Sequence, residues 1–164
     1  MVFKEDYSAH AIYLLEERGI SLDDIAECAR FLQSDYHINL KKEELLDSVK
    51  KVISKREVQF AIMTAISLDK MAESHKLEDK ELEHLLLNDA PLYGTDEVLA
   101  YSICNLYGSI ALTNFGFIDM KKYGIIDKLN KEGKGTGRCT TFTDDIVGAL
   151  AAAAASRFAH TWED

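Results

Sequence analysis

The sequence has little proline, no close pair of cysteines, no excess of basic residues and no long apolar run. Its one proline, Pro91, leaves helices free to extend over most of the chain. The three cysteines are odd in number and far apart, which excludes a disulfide framework and favours a reducing, cytoplasmic setting. A net charge of −9 argues against non-specific nucleic-acid binding, because phosphates require a basic face, although it leaves room for a local basic pocket. The longest apolar run, residues 146–155, is about half of what a transmembrane helix needs.

What remains is the composition of a globular protein. The chain has 164 residues, of which 47% are hydrophobic and 29% charged, and this length is sufficient for one domain with an apolar core. Residues 1–18 are charged and amphipathic, unlike a secretory leader. We therefore predict a single cytoplasmic domain, residues 1–164, in which a polar N-terminal subdomain, residues 1–54, packs on a functional half, residues 55–164.

Apolar residues recur at helical spacing, and no alternating pattern is long enough to indicate a β-strand. We predict an all-α fold, a single-domain bundle of about eight helices. Residues 113–117 and 133–140 are expected to be irregular. The expected helices cover approximately residues 8–17, 21–32, 41–54, 56–75, 79–87, 95–112, 121–131 and 142–160.

Several residues are given local roles by their spacing. Ser21 and Asp24 match a capping box, and Thr95 is expected to cap the sixth helix. Met71 is placed on the inward stripe of the fourth helix with Val58.

The cysteines and the alanine-rich run are assigned by their neighbours. Cys28 and Cys104 lie on apolar helical faces and are expected to be buried, whereas Cys139 follows a glycine-rich segment and is expected to be exposed. The alanines of residues 151–155 allow other helices to approach closely. That property suits a central helix, and it also suits a contact between subunits.

Two acidic pairs, Asp96-Glu97 and Asp144-Asp145, each stand directly before an apolar helical run. The helix dipole alone can explain acidic residues in a first turn, at about 0.3–1 kcal/mol each. The apolar residues that follow at once indicate instead that these carboxylates lie at the edge of a core. If the pairs converge, two charges about 4 Å apart repel by about 4 kcal/mol at an effective dielectric of 20. Such a cluster needs protons or a cation, and its oxygen ligands favour Mg²⁺, with Mn²⁺ and Ca²⁺ as alternatives.

A glycine-rich segment, residues 133–138, precedes the second pair. Its glycines allow backbone N–H groups to approach an anion, and Lys134 and Arg138 add positive charge. The order of residues is neither that of a P-loop nor that of a dinucleotide-binding fingerprint. A flexible surface connection is the competing interpretation. Asp119, near two lysines, forms another acid–base patch, which is also typical of a solvated helix start.

Three segments together resemble the phosphatidylglycerophosphatase A family of lipid phosphatases: TDEVLA at residues 95–100, GFIDMKK at 116–122 and TDDIVGA at 143–149. Their order and spacing agree with that family over roughly residues 56–160. The resemblance implies an all-helical fold and Mg²⁺-dependent removal of a phosphate monoester from a glycerophosphate lipid. It further implies that Asp119 is an acidic site residue and that Lys122 contacts phosphate.

The chain also departs from that family. Members that act on membrane lipid typically have spanning segments and a proline after the lysine, where Tyr123 stands here. The chain therefore resembles a short soluble branch. Its substrate is either a phosphatidylglycerophosphate-like lipid or a water-soluble phosphate ester.

We predict a metal-dependent phosphatase that forms a homodimer or homotetramer. The alternative is a non-catalytic helical protein that binds a metal or ligand or serves as a scaffold. A helical nucleotide pyrophosphohydrolase is less favoured, because the E-x-x-[ED] spacing typical of its site does not accompany the acidic pairs. The predicted residues are Asp96, Asp119 and Asp145 for catalysis, Asp96, Glu97, Asp144 and Asp145 for the metal, and Lys122, Lys134 and Arg138 for phosphate.

Overall fold

The chain is helical over nearly all of the residues that can be described. The computed structural model describes residue 3, residues 5–36 and residues 40–160. For residue 160 only the backbone is described. No strand occurs in these ranges, so the all-α prediction is confirmed. The helices are α1 (Ser8–Glu17), α2 (Leu22–Gln33), α3 (Lys42–Ile53), α4 (Arg56–Glu73), α5 (Lys80–Leu87), α6 (Thr95–Cys104), α7 (Ser109–Lys121), α8 (Ile125–Glu132) and α9 (Thr143–His160).

Helix α9 lies at the centre of one compact domain and packs against α2, α3, α4, α6, α7 and α8. Its alanine run, residues 151–155, is fully buried, and one apolar core extends from α1 to α9. Because alanine side chains are short, the surrounding helices can approach the α9 backbone. None of the described helices has the length and apolar character required to cross a membrane.

Polar side chains from α2 and α3 reach the backbone of α9. The Ser48 hydroxyl donates to the Ala154 carbonyl at 2.9 Å, and the Gln33 amide donates to the Ala155 carbonyl at 3.3 Å. On the other side a Cβ added at Gly148 would lie 3.3 Å from a ring carbon of Phe115 on α7. The close approach of α7 to α9 therefore depends on the glycine.

Helix starts follow local capping only in part. The capping box of Ser21 and Asp24 is present, and it begins α2 as predicted. The assignment of Thr95 as an N-cap is wrong, because Gly94 occupies that position with φ 77° and Thr95 is the first residue of α6. A left-handed backbone at this point suits glycine and leaves the threonine inside the helix.

The predicted helix over residues 95–112 is wrong in its extent. Helix α6 ends at Cys104 and α7 begins at Ser109, with Gly108 between them at φ 85°. Residues 113–117, expected to be irregular, lie within α7. Asn105 and Gly108 favour a turn, but the apolar residues between them continue the helical pattern and conceal the break. The described part of the chain therefore has nine helices, one more than the predicted number.

Helix α4 turns a carboxylate inward. Met71 was placed on its inner stripe, yet that side chain is 40% exposed, whereas Asp69 is fully buried. The stripe continues from Ile66 to Asp69 and Ala72 at intervals of three residues, which leaves Met71 on the outside.

Asp69 accepts hydrogen bonds from the start of α9. Its Oδ2 accepts from the backbone N–H of Thr143 at 2.7 Å and from the Thr143 hydroxyl at 2.6 Å. The backbone N–H of Phe142 donates to Oδ1 at 3.0 Å. Burial raises the pKa of Asp69 to about 6, although these hydrogen bonds oppose the rise. A side chain of α4 therefore supplies the N-terminal cap of α9, whose first N–H groups need acceptors.

Cys139 is buried, contrary to the prediction, while Cys28 and Cys104 are buried as expected. The Cys139 thiol lies 3.4 Å from Asp69 Oδ1. The backbone carbonyl of Cys139 accepts a hydrogen bond from the guanidinium of Arg18. The backbone N–H of Cys139 donates to Glu73 at 3.0 Å. These contacts hold the end of the glycine-rich segment against α1 and α4, just ahead of α9.

We expect Asp69→Asn to lower the free energy of unfolding by about 2–3 kcal/mol, because the amide cannot accept all of the buried N–H and O–H donors. Urea unfolding monitored by circular dichroism measures this change. Asp47→Asn is the control, since Asp47 on α3 is 57% exposed and pairs with Lys51 of the same helix; it should change the free energy by no more than about 0.5 kcal/mol. Equal stability of the two variants would contradict the capping role.

Candidate active site

Both predicted acidic pairs line one surface cleft. The cleft has a volume of about 390 Å³ and lies where the N-termini of α6 and α9 meet the C-terminus of α7 and the loop before α6. Six carboxyl side chains and one ammonium group line it. They are Asp89, Asp96, Glu97, Asp119, Asp144, Asp145 and Lys122.

The two pairs differ in burial. Asp144 and Asp145 lie in the first turn of α9 and are only 6% and 5% exposed. Asp96 is half-buried and Glu97 is exposed, so the α6 pair forms the outer wall of the cleft. The positive end of the α9 dipole faces the inner pair and partly compensates for its charge.

Lys122 connects the α7 and α9 carboxylates. Its Nζ lies 2.5 Å from Asp119 Oδ1 and 3.4 Å from Asp144 Oδ2. Lys122 ends α7 in the left-handed conformation, with φ 49°. Burial alone would lower the pKa of Lys122, but Asp144 and Asp119 raise it above its ordinary value, so the side chain is a cation.

The carboxyl groups of the inner pair are held in an unfavourable state. Burial raises the pKa of Asp145, and the neighbouring charges of Asp144, Asp119 and Asp96 raise it further. Burial likewise raises the pKa of Asp144, although Lys122 opposes this rise. Asp145 Oδ2 is buried without a hydrogen-bond partner. The inner pair therefore favours added positive charge, either a proton or a cation.

The donor set fits an oxygen-ligated divalent cation. Carboxylate oxygens are the ligands that Mg²⁺ and Ca²⁺ prefer, and the unpartnered oxygen of Asp145 is an available one. Within the described ranges, however, no three acidic, histidine or cysteine side chains are arranged to hold an ion as they stand. The cleft thus has the chemistry of a cation site without the closed arrangement of one.

Backbone strain is concentrated at the cleft. Four residues other than glycine have positive φ in the part of the chain that the structure describes, and Asp89, Leu92 and Lys122 line the cleft. This conformation costs about 1–2 kcal/mol per residue for a side chain other than glycine. Such residues persist where the surrounding structure imposes them, commonly at functional sites.

Three features of this region were missing from the sequence prediction. Asp89 and Asn130 line the cleft, and Asp69 anchors the helix that carries its inner pair. An acidic residue three positions after Ile66, on the apolar stripe of α4, was the available sign of Asp69. No pattern marked Asp89 or Asn130, because the first lies in a turn and the second on a short polar helix.

Two of the three predicted phosphate ligands lie outside the cleft. The Arg138 guanidinium pairs with Glu132 at 3.1 Å, donates to the Arg18 carbonyl at 3.0 Å and lines a separate surface pocket beside α1 and α4. Lys134 is exposed on the glycine-rich segment. Only Lys122 accompanies the carboxylates, so a phosphate role for the other two has no support at this site.

The chain is similar to a known family and to solved structures. The family model described as phosphatidylglycerophosphatase A matches residues 24–160, and thus includes α3 and nearly all of α2, which the expected span from residue 56 left out. The protein YutG of Bacillus subtilis (strain 168) is 53% identical over 146 residues, which are 89% of this chain and 86% of YutG.

Two solved structures share the whole fold. A protein of unknown function from Bacillus stearothermophilus matches with a TM-score of 0.92 and 52% identity, covering 97% of both chains. The low temperature requirement C protein from Listeria monocytogenes matches with a TM-score of 0.91 and 49% identity, covering 96% of this chain and 97% of the other. The helical arrangement around the cleft is therefore shared with close relatives.

We expect Asp145→Asn to raise the melting temperature when divalent ions are absent, because it removes a buried carboxyl group that its neighbours repel. A gain of about 1–2 kcal/mol corresponds to a rise of roughly 2–8 °C for a chain of this size. Differential scanning calorimetry in EDTA measures it, with Asp47→Asn as the exposed control. A variant that melts below the parent protein would contradict the proposed repulsion.

Proposed function

This chain belongs to the phosphatidylglycerophosphatase A family, and we propose that it is a metal-dependent phosphatase acting on a phosphate monoester in glycerophospholipid metabolism. The family implies a phosphate-ester lipid substrate, for which a phosphatidylglycerophosphate-like lipid is the proposed example. The observation that carries the proposal is the convergence of carboxylates from α6, α7 and α9 with Lys122 in one cleft.

The proposed cation is Mg²⁺, with Mn²⁺ or Ca²⁺ as alternatives. Asp96, Glu97, Asp144 and Asp145 would hold it, since both pairs line the cleft. Burial raises the pKa of Asp144 and the pKa of Asp145, and a bound cation would favour their ionised forms. A bound divalent cation polarises a phosphoryl oxygen and lowers the pKa of a water molecule.

Lys122 is the proposed phosphate contact. An ammonium group has three N–H donors, and Asp119 and Asp144 accept two of them. The third can donate to a phosphate oxygen, and a charge-assisted bond of this kind is among the stronger hydrogen bonds in proteins. The two carboxylates therefore orient Lys122 toward the ligand as well as neutralising it.

Hydrolysis of a phosphate monoester also requires a group that takes a proton from the attacking water. Asp119 is the predicted catalytic carboxylate that stands outside the proposed metal ligands, and it is 30% exposed in the cleft. We assign it this role, because its carboxylate is held by Lys122 at the cleft and its partial exposure gives it access to water.

The setting and assembly belong to the same proposal. Three free cysteines and a net charge of −9 support a cytoplasmic protein that does not bind nucleic acid. A homodimer or homotetramer is also proposed.

We expect phosphate release from phosphatidylglycerophosphate in mixed micelles, or from a small phosphomonoester, to require Mg²⁺ and to stop in EDTA. Asp145→Asn should lower the rate at least about 100-fold while the helical circular dichroism is unchanged. Asp47→Asn, which removes an exposed carboxylate from α3, should keep the parent rate. Full activity of the Asp145 variant would show that the cleft is not the active site.

Lys122→Gln and Arg138→Gln separate the predicted phosphate ligands. Loss of a hydrogen bond to a charged group, at about 1.5–3 kcal/mol, should reduce kcat/KM of Lys122→Gln by roughly 10–100-fold. Arg138→Gln should remain within about twofold of the parent, because Arg138 lies outside the cleft. Steady-state kinetics on one substrate measure both, and a larger loss in the Arg138 variant would move the phosphate site to the glycine-rich segment.

A further inference from the structure

A long segment of this charged protein has no charge. Residues 98–118 contain no Asp, Glu, Lys, Arg or His, although 29% of the whole chain is charged. These residues form most of α6, the turn after it and most of α7. An uncharged segment of this length is expected either in a core or at a contact surface.

The core does not account for this segment. Half of the large apolar side chains that are exposed in the described ranges lie between residues 98 and 120. On α6, Val98 and Tyr101 are exposed at an interval of three residues, and on α7 Ile110 and Phe117 are exposed at an interval of seven. We call the exposed side chains of residues 98–117 the uncharged face.

The other uncharged stretch, residues 146–156 of α9, is explained by burial. Every residue of its alanine run is enclosed by neighbouring helices of the same chain. The expectation that this run provides a subunit contact is therefore wrong, and a homo-oligomer must use a different surface.

We propose that the uncharged face is the contact surface between two copies of this chain in a homodimer. Each copy carries a net charge of −9, so two copies repel at most orientations. Contact through the uncharged face keeps like charges apart while it covers apolar side chains from both α6 and α7. A two-fold dimer brings the same patch of each copy together. Because that patch is uncharged, its two copies do not repel each other.

The composition of the face favours a second copy over a lipid surface. Membrane-surface helices commonly carry Lys and Arg that attract anionic lipids, and residues 98–118 have neither. Lys121 stands at one edge, with its Nζ 5.7 Å from the centroid of the Phe117 ring. Ser102, Asn105 and Thr113 are exposed between its apolar residues. The Ser102 and Thr113 hydroxyls donate to the Leu99 and Ser109 carbonyls of their own helices. Asn105 is therefore the side chain of this group that favours a polar protein contact over hydrocarbon.

The face also reaches the cleft. Val98 directly follows Glu97, and the exposed Met120 directly follows Asp119. A partner that covers α6 and α7 therefore contacts the two helices whose ends supply the outer carboxylates, and places a second chain beside the mouth of each cleft.

Sedimentation equilibrium of the full chain from 1 to 200 μM tests the proposal, with these concentrations chosen to span about two decades of association. The parent protein should have about twice its chain mass of 18.4 kDa, or four times if a second contact is present. Ile110→Glu and Thr113→Glu should each raise the dissociation constant of this step at least about 100-fold, because each adds a negative charge to the contact on both copies of a protein that already carries a net charge of −9. Thr113 is exposed and its substitution leaves the core intact, so it decides the outcome if Ile110→Glu misfolds.

The control is Met71→Glu, which adds the same charge at a 40%-exposed apolar residue of α4 outside the face. It should assemble like the parent. The proposal is overturned by a parent protein that is monomeric throughout, by face variants that assemble normally, or by equal loss in the Met71 variant. It is also overturned, in favour of a lipid surface, if a monomeric parent floats with phosphatidylcholine vesicles and Ile110→Glu does not.

Discussion

The carboxylate of Asp69 holds the start of α9, and most of the structure depends on that contact. It accepts hydrogen bonds from two backbone N–H groups and one hydroxyl at the beginning of the central helix. These bonds fix α9 along its axis against α4, and five other helices also pack around it. Asp144 and Asp145 follow directly, so the same contact sets the depth at which both carboxylates enter the cleft. A core interaction and the placement of the site are thus one constraint.

The acidic side chains that line the cleft lower the stability of the folded protein. Asp144 and Asp145 are buried beside other acidic side chains, and burial with repulsion raises the pKa of each. Lys122 offsets part of this charge through Asp119 and Asp144, but one oxygen of Asp145 remains without a hydrogen bond. An unsatisfied buried polar group calls for an explanation, and a ligand-binding role is one of them. The incomplete neutralisation is consistent with a site that gains its last positive charge from a bound cation.

The sequence predicted the all-α fold, because that depends on local periodicity. The residues alone left the convergence of the acidic pairs conditional, and the family resemblance supplied the reason to expect it. The sequence did not predict that Asp69 faces inward or that α6 and α7 are separate helices. The first depends on which neighbour is available to an inward carboxylate, and the second on one left-handed glycine within an apolar run. Arg138 was placed at the site by chain proximity to Asp144, yet its guanidinium turns to Glu132 and away from the cleft.

The alanine run of α9 has a consequence for the entropy of folding. An alanine side chain has no rotamers to lose, so ordering residues 151–155 in the core carries no side-chain entropy cost. Alanine also has the highest intrinsic helix propensity. The centre of this protein is therefore its least costly part to order, although it buries little apolar area per residue. Larger side chains on the surrounding helices supply the apolar area, and they pack against a segment of high intrinsic helix propensity.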